Sequence, residues 1–252
     1  MNGADSTERF ADRAKHYAAS RPGYPDRAIA YLTEQAVLGS SRVVGDVGAG
    51  TGILTRLLAP HCQQVLAIEP NDAMRQAIGA DDPRIIPLRG QAEATGLSDR
   101  SVDSITAAQA FHWFDVEQAR QEFLRVLKAD GQVALLWNTR DLRSDFDHAY
   151  EELLQQFGTD FKSVRHEEGT EQRLRRLFGH QRTETRFESQ QSLSLTGLHS
   201  RLLGSSFLPG EGDPAHRTML EVAGDLFRRH SERDRVQLHY QTEVHLGNLR
   251  GD

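Results

Sequence analysis

The chain is poor in cysteine, in long apolar segments and in net positive charge. Cys62 is the one cysteine among 252 residues, which excludes an internal disulfide and a metal site built from several cysteines. No apolar run approaches the roughly 20 residues that a membrane-spanning helix needs. The N-terminal residues also lack the apolar core of a signal peptide. We therefore expect a cytoplasmic protein with no membrane partner and no metal.

The charge balance is acidic. Thirty Lys and Arg residues against 36 Asp and Glu residues give a formal net charge of −6. Domains that bind nucleic acid usually present a basic patch. The basic clusters at residues 173–176 and 228–229 are interleaved with apolar or acidic residues, which is typical of solvated helix faces. We expect no nucleic-acid partner, and a monomer or homodimer.

Short apolar strands alternate with helical patterns over the first 140 residues. A helix is expected from Pro25 to Leu38. Strands are predicted at residues 43–47, 64–68, 84–88, 102–108 and 132–137, with helices at 52–59, 71–79 and 115–128. This alternation predicts an α/β fold with a doubly wound, mostly parallel sheet.

The pattern changes after Asn138. Helices are predicted at residues 144–157, 170–178 and 216–229, and a strand at 183–195. Residues 236–246 alternate between apolar and polar, as in an antiparallel strand near a sheet edge. The histidines of that strand, His239 and His245, are expected to be exposed.

The most informative stretch is a strand, an acid and a glycine-rich loop. Asp46 ends the apolar run, and glycines follow at Gly48, Gly50 and Gly52. Glycine allows a tight turn at which the backbone approaches a ligand without interference from a Cβ atom. The acid would repel a diphosphate and attract an ammonium or sulfonium group. The loop therefore favours a cationic ligand.

A second acid, Glu69, ends the next apolar run, where a carboxylate can accept both hydroxyls of a ribose. An adenosine with a cationic amino-acid arm satisfies both acids, and S-adenosylmethionine is such a molecule. The alternative is a nicotinamide dinucleotide. The dinucleotide-binding sequence pattern, G-x-G-x-x-G, requires a third glycine where this chain has Ile53.

Together these features resemble the class I S-adenosylmethionine-dependent methyltransferases, in particular the small-molecule branch that includes trans-aconitate-methyltransferase-like proteins. The resemblance lies mainly in the first 140 residues, in segments 10–25, 46–52, 69–71, 90–93, 109–114 and 124–131. It implies a seven-stranded Rossmann-like sheet with an antiparallel last strand. It also implies a single domain over residues 1–252, with N-terminal lid helices at 1–40, a cofactor-binding core at 41–138, and cap helices and final strands at 139–252.

The resemblance also implies contacts to the methionine and ribose moieties. Gly48, Ala49 and Gly50 would pass beneath the methionine moiety. Asp46 would hold its ammonium directly or through water, and Glu69 would accept the ribose hydroxyls.

The adenine contacts follow in the same way. Pro70 and Met74 would pack on the ring, although Met74 fits ordinary helix packing equally well. Gln91 stands where an aspartate often meets the adenine amino group, and its carbonyl can still accept that bond. Ala92 would offer its backbone amide to a ring nitrogen, and Gln109 would face the methionine arm.

The turn at His112 and the N-terminal segment are the two candidates for contact with the methyl acceptor. His112 follows the fourth strand, where the crevice outside the strand ends lies, and its ordinary pKa suits a base. The alternative is a histidine hydrogen-bonded to backbone in its loop. Trp113 is expected to be a pocket wall or a core residue. In the resembling family an N-terminal helix covers the cofactor, which implies substrate contacts for Tyr17, Arg21 and Tyr24.

We expect methyl transfer to a small-molecule carboxylate or hydroxyl, with S-adenosyl-L-homocysteine as the product. One alternative is an RNA or protein methyltransferase on the same fold. The acidic charge and the lack of an Asn-Pro-Pro-Tyr-like motif after the fourth strand argue against it. A non-catalytic protein that holds the cofactor is a second alternative, and a nicotinamide oxidoreductase is a distant third.

Overall fold

The computed structural model describes residues 21–79, 81–159, 170–205 and 207–250. The chain divides into two compact units. Unit 1 comprises Met1–Pro22, Thr139–Arg165 and Glu188–Gln241. Unit 2 comprises Gly23–Asn138, His166–Phe187 and Thr242–Asp252.

Seven strands form one sheet in the order β3-β2-β1-β4-β5-β7-β6. The strands are β1 Gly39–Val47, β2 Cys62–Ile68, β3 Ile85–Leu88, β4 Val102–Ala108, β5 Leu127–Arg140, β6 Arg182–Leu193 and β7 Val236–Gly247. The first five pair in parallel, and the last strands are antiparallel. The predicted doubly wound, mostly parallel sheet is therefore confirmed.

Eight helices are described alongside these strands. They are α1 Asp26–Glu34, α2 Ile53–Leu58, α3 Asp72–Ile78, α4 Val116–Val126, α5 Asp145–Phe157, α6 Thr170–Phe178, α7 Leu195–Leu203 and α8 Ala215–His230. Side-chain caps begin several of them: the Asn71 side chain accepts the Met74 N–H, and Ser144 forms a capping box with Asp147. The helices predicted between residues 52 and 229 are present, that at 170–178 with the predicted ends and the others with slightly different ends.

The N-terminal helices were predicted over residues 1–40. Residues 1–20, with Tyr17 among them, lie outside the described residues. The helix predicted from Pro25 to Leu38 ends instead at Glu34. Ala36 has a φ of +55°, and the N–H groups of Val37 and Leu38 both donate to the Leu32 carbonyl. This left-handed turn ends the helix and leads into β1.

In unit 2, helices cover both faces of the sheet. Apolar side chains of α4 and α6 pack with residues such as Val47, Ile105 and Leu135 on one face. Side chains of α1 and α2 pack with the alternate residues, such as Val44 and Leu136, on the other. Strands buried on both faces explain the continuous apolar runs in the sequence.

The core of unit 1 is built mainly from helices. Apolar side chains of α5, α7 and α8 pack with Val236, Leu238 and Tyr240 of β7. These β7 residues are the alternate apolar positions of the predicted pattern, so the periodicity identified the buried face of the strand correctly.

The environment of His245 was wrongly predicted. Strand β6 forms the sheet edge and β7 lies between β5 and β6. The His245 side chain is buried, and its ring packs against Trp137 with centroids 5.3 Å apart. An alternating pattern shows that one face of a strand is polar, but it does not reveal that another strand covers it.

Candidate active site

The loop after β1 is fixed by backbone hydrogen bonds. Gly48, Gly50 and Gly52 have φ values of +70°, +58° and +79°, in the left-handed region that favours glycine. The N–H groups of Gly48 and Ala49 both donate to the Ile68 carbonyl, at 2.9 and 3.1 Å. The loop is thereby held to the carboxyl end of β2.

The loop is closely packed at one glycine and open at another. A Cβ atom on Gly48 would lie 2.6 Å from Cβ of Ala110, too close for any side chain. A Cβ atom on Gly50 would have no neighbour within 4 Å. Space for a ligand therefore lies beside Gly50.

Glu69 follows β2 and is held by two backbone donors. Its Oε2 accepts the Gly50 N–H at 2.8 Å, and its Oε1 accepts the Asn71 N–H at 2.9 Å. Burial raises the pKa of Glu69, and the two backbone bonds oppose that rise. Because a carboxylate oxygen can accept two hydrogen bonds, each oxygen can still accept one hydroxyl.

Asp46 is buried beneath the loop. Its Oδ2 accepts the Thr55 hydroxyl at 2.6 Å, and its Oδ1 accepts the Thr106 hydroxyl at 2.9 Å. Burial raises the pKa of Asp46 to about 6, against the lowering effect of both threonines, and the Glu69 charge adds to the rise. The site therefore holds two buried acids whose charged forms a cationic ligand would stabilise.

Thr51 carries a buried polar atom in the same loop. Its side-chain hydroxyl has no hydrogen-bond partner among the residues that the structure describes. Buried hydroxyl groups are normally paired with protein or water. This orphan atom is consistent with a loop that binds a polar ligand.

The residues predicted to hold adenine follow β2 and β3. Met74 is buried in α3, whereas Pro70 is exposed. Gln91 is exposed and pairs with Ala94 through two backbone hydrogen bonds of 3.1 Å, and Ala92 between them is buried. Since β1 to β4 are parallel, their carboxyl ends meet at one edge of the sheet, which brings these segments together.

Gln109 adopts an uncommon backbone conformation directly after β4. Its φ is +56°, its N–H donates to the Leu136 carbonyl at 3.0 Å, and its Nε2 donates to the Asn138 carbonyl at 3.1 Å. A left-handed backbone at a residue other than glycine costs about 1–3 kcal/mol and recurs at functional sites. The hydrogen bonds to β5 fix this conformation.

His112 lies in a short 3₁₀ turn, Phe111–Trp113. Its ring contacts Trp113, with centroids 4.6 Å apart. Trp113 is 58% exposed, which excludes the core position that was one of its two predicted roles, whereas Phe111 is buried against Trp137. The buried Phe111 ring thus fixes the turn that carries the rings of His112 and Trp113.

Arg173 of α6 holds this turn in place, a role that the sequence alone did not indicate. Its Nη2 donates to the carbonyls of Phe111 and Phe114, at 3.1 and 2.6 Å, and its guanidinium lies 5.3 Å from the Phe111 ring centroid. The prediction of a solvated helix face is therefore wrong for Arg173. Its neighbour Leu174 is buried, which is the signal that could have indicated a packed face.

The remaining acceptor candidates lie before α1. Tyr24 is buried in the layer that α1 and α2 form. The Gly23 carbonyl accepts the Asn138 Nδ2 at 2.9 Å, which holds this segment to β5. Arg21 is half-buried in unit 1. Tyr24 belongs to unit 2.

Comparison with known proteins agrees with this geometry. Residues 45–135 match the methyltransferase domain family. A methyltransferase-like protein of Schizosaccharomyces pombe is 30% identical over 238 residues, which is 92% of each chain. The chain belongs to the class I S-adenosylmethionine-dependent methyltransferases.

Two further proteins are similar to this methyltransferase. An uncharacterised methyltransferase of Mycobacterium tuberculosis is 40% identical over 139 residues, 55% of this chain and 56% of that one. A solved structure described as a type II methyltransferase from Anaeromyxobacter dehalogenans superposes with a TM-score of 0.69 at 22% identity, covering 91% of this chain and 98% of that one. The solved structure supports the Rossmann-like methyltransferase fold alone.

None of the described helices is long and apolar enough to cross a membrane. Within the described residues, no group of three or more His, Cys, Asp or Glu side chains could hold a metal ion.

Proposed function

We propose that this methyltransferase binds S-adenosylmethionine at the carboxyl edge of β1 and β2 and methylates a small-molecule carboxylate or hydroxyl. The observation that carries the proposal is the pair of buried acids, Asp46 and Glu69, on either side of the glycine-rich loop. A dinucleotide would bring a diphosphate that these acids repel, whereas S-adenosylmethionine brings an ammonium and a sulfonium group that they attract.

The residues at the loop fit this cofactor. Glu69 has one acceptor position left on each oxygen, which suits the two hydroxyls of a ribose. The open space beside Gly50 accommodates the methionine moiety. The charge of Asp46, beneath the loop, would stabilise the ammonium of the methionine moiety directly or through water.

The adenine would lie against the segments after β2 and β3. Pro70 and Met74 offer apolar surface, the Gln91 carbonyl offers an acceptor for the amino group, and Ala92 offers its backbone N–H. Gln109 would face the methionine arm from the end of β4. These roles derive from the resemblance in sequence and agree with a shared sheet edge.

The bound cofactor supplies an already activated methyl group. The protein then has to align the acceptor and exclude water. His112 would remove the proton of a hydroxyl acceptor, or orient a carboxylate acceptor, which has no proton to lose. Trp113 and Tyr24 would border the acceptor. For Tyr17 and Arg21 the same role is implied by the resemblance in sequence alone.

A small acceptor is supported by the charge of the chain. A net charge of −6 disfavours RNA, and no Asn-Pro-Pro-Tyr-like motif follows β4. We further propose a cytoplasmic monomer or homodimer. Residues 1–252 would form a single methyltransferase domain, in which residues 41–138 bind the cofactor and residues 139–232 help to cap or extend the acceptor pocket.

Calorimetry tests whether the protein binds the cofactor, and an assay of turnover tests whether it transfers the methyl group. S-adenosylmethionine and S-adenosylhomocysteine should bind, and nicotinamide dinucleotides should not compete with them. A thioether-release assay against pools of carboxylic acids, phenols and amines then identifies the acceptor class. Tighter binding of a dinucleotide would overturn the proposal, and cofactor binding without turnover of any pool would favour a non-catalytic binding protein.

A further inference from the structure

Strand β6, Arg182–Leu193, lies at one edge of the seven-stranded sheet, next to β7. Among the residues that the structure describes, no strand pairs with its outer side. Leu193 is buried, and the other residues of β6 are half-buried or exposed. An exposed edge of this length is a template for another strand, and proteins often block such edges with Pro, Lys or a bulge. β6 contains no Pro, Lys or Gly.

One face of β6 carries charges of alternating sign. They occupy every second position, at Arg182, Glu184, Arg186 and Glu188, so they lie on the same side of the strand. Arg182 is half-buried, and the other three residues are exposed. Reversing this order of charges exchanges their signs. The strand is therefore complementary in charge to an antiparallel copy of itself.

The charges select one register for such a pair. A two-fold axis at Thr185 places Arg182 opposite Glu188 of the second copy, and Glu184 opposite Arg186. Each pair occurs twice by symmetry, so every charge on this face lies opposite the other sign. An axis at Glu184 or Arg186 would place like charges opposite each other, which is destabilising. An axis two residues from Thr185 would leave charged residues opposite neutral ones.

The same charges form ion pairs within the chain. Arg182 Nη2 donates to Glu171 Oε2 at 2.8 Å, and Arg143 Nη2 donates to Glu188 Oε1 at 2.6 Å. The two charges between them on β6 bond to each other. Guanidinium groups have five donors and carboxylates accept several hydrogen bonds, so these groups can also bond to a second copy. Because exposed ion pairs add little affinity, they would set the register, and backbone hydrogen bonds would supply the affinity.

The opposite face of β6 agrees with this register. The axis at Thr185 places Thr183 opposite Phe187 of the second copy, and Thr185 opposite itself. Phe187 is half-buried against Tyr31, with ring centroids 5.5 Å apart. Pairs of an aromatic with a β-branched residue across neighbouring strands are favourable. Both faces of the strand therefore suit the same axis.

We propose that two copies of this chain pair through β6 in antiparallel orientation, about a two-fold axis at Thr185, and so join their sheets into one. The interface is isologous, since each copy contributes the same strand. This inference goes beyond the proposed reaction and selects the homodimer from the two oligomeric states named with it. Methyl transfer by a monomer would leave the proposed function standing.

Sedimentation equilibrium on the full chain tests the pairing. Wild type should dimerise, with a mass twice that of the 28.3 kDa chain. Glu184→Arg and Arg186→Glu each place like charges opposite each other and should weaken dimerisation by roughly tenfold or more. An equal mixture of the two variants restores opposite signs in every pair and should form a heterodimer. Arg228→Glu makes the same change of charge at an exposed position of α8, and it should dimerise as the wild type does.

Engineered cysteines test the register. Opposite residues of antiparallel strands have Cα atoms about 4.5–5.5 Å apart, which is within reach of a disulfide. Thr185→Cys should therefore cross-link two copies under mild oxidation. Thr183→Cys is the matched control, because its two copies would lie four positions apart along the strands, roughly 13 Å. Wild type should not cross-link, since Cys62 is buried.

Several results would overturn the pairing. A wild type that sediments at 28.3 kDa at every concentration would do so, as would folded charge variants that dimerise like the wild type or fail to associate when mixed. Equal cross-linking of Thr183→Cys and Thr185→Cys would show that the axis is wrong. Melting curves show which variants are folded, and the cysteine pair decides the outcome if a charge variant is not. Calorimetry with S-adenosylhomocysteine tests the proposed function separately.

Discussion

Glu69 and Gly50 are joined directly, because the carboxylate Oε2 accepts the loop N–H at 2.8 Å. The acid proposed to hold the ribose thus also fixes the glycine-rich loop. Its other oxygen holds the Asn71 N–H, at the residue that caps α3. The ends of β1 and β2 therefore form one preorganised surface, and a change at Glu69 acts on both.

Replacing Glu69 with Ala should weaken S-adenosylhomocysteine binding. Hydrogen bonds to a charged group are worth about 1.5–3 kcal/mol, so affinity should fall roughly tenfold to a hundredfold. Glu69→Gln keeps one acceptor oxygen and should fall between wild type and Glu69→Ala. Isothermal titration calorimetry measures all three.

Asp72→Ala is the control for this pair, since it lies three residues away with a 60% exposed side chain. It should bind the product like the wild type. Unchanged affinity in Glu69→Ala would mean that the acid acts only on the fold, and a melting curve for each variant shows whether the fold has survived.

Asp46 should make stability depend on pH. Its pKa is raised from 3.8 to about 6, mainly by burial, so the folded state binds its proton more tightly than the unfolded state. Stability contributed by this group is therefore fully present below pH 4 and is lost as the pH rises to about 6. The loss is of the order of 3 kcal/mol.

Asp46→Asn tests this sign. The amide carries no charge, so the variant should melt several degrees above the wild type at pH 8 and show little difference at pH 4. Its affinity for S-adenosylmethionine should fall at pH 8, because the ligand's ammonium loses its counter-charge. In the wild type, cofactor affinity should itself weaken as the pH drops below 6. A variant that is less stable than the wild type at pH 8 would contradict the argument.

Two glycines should respond differently to alanine. Gly48→Ala places a methyl 2.6 Å from Cβ of Ala110, so folding should be destabilised by the clash and by the left-handed φ. Gly50→Ala meets no atom within 4 Å, and its left-handed φ should cost only about 1–2 kcal/mol. Its methyl would enter the proposed ligand space, so product affinity should fall at least tenfold while the protein stays folded. Thermal melting and calorimetry together decide both outcomes.

The glycine-rich loop and its two acids could be predicted because their signal is local. The turn needs glycine at fixed positions, and each acid directly follows an apolar strand, so Asp46 and Glu69 could be identified without knowing any contact. The sheet could be predicted for the same reason, since strand and helix periods differ. Whether these residues bind the cofactor stays a prediction.

The environments of Arg173 and His245 could not be predicted from the sequence. Arg173 is half-buried because it donates to carbonyl groups some 60 residues earlier in the chain, at separations of 59 and 62 residues. His245 is buried because a distant strand forms the sheet edge. In each case a partner far along the chain decides the role.

His112→Ala should separate a base from an orienting group. For a base, turnover should fall by roughly 10²–10⁴ while product affinity is unchanged. For an orienting group beside a carboxylate acceptor, KM for the acceptor should rise and kcat should change little. Steady-state kinetics on an accepted substrate measure both constants, and wild-type kinetics in the variant would exclude both roles.

Arg173 should affect methyl transfer by positioning His112, without contacting the acceptor itself. It holds the His112 turn through two carbonyl groups, so Arg173→Gln should release the turn and reproduce part of the His112→Ala defect. Arg173→Lys keeps one charged donor and should recover part of the loss, whereas Arg175→Gln, on the exposed side of α6, should behave as the wild type. The decisive measurement is a double-mutant comparison. If Arg173 works through His112, the Gln substitution should cost little further turnover in a His112→Ala background. Two full and additive losses would show that Arg173 supports the fold instead of positioning the histidine.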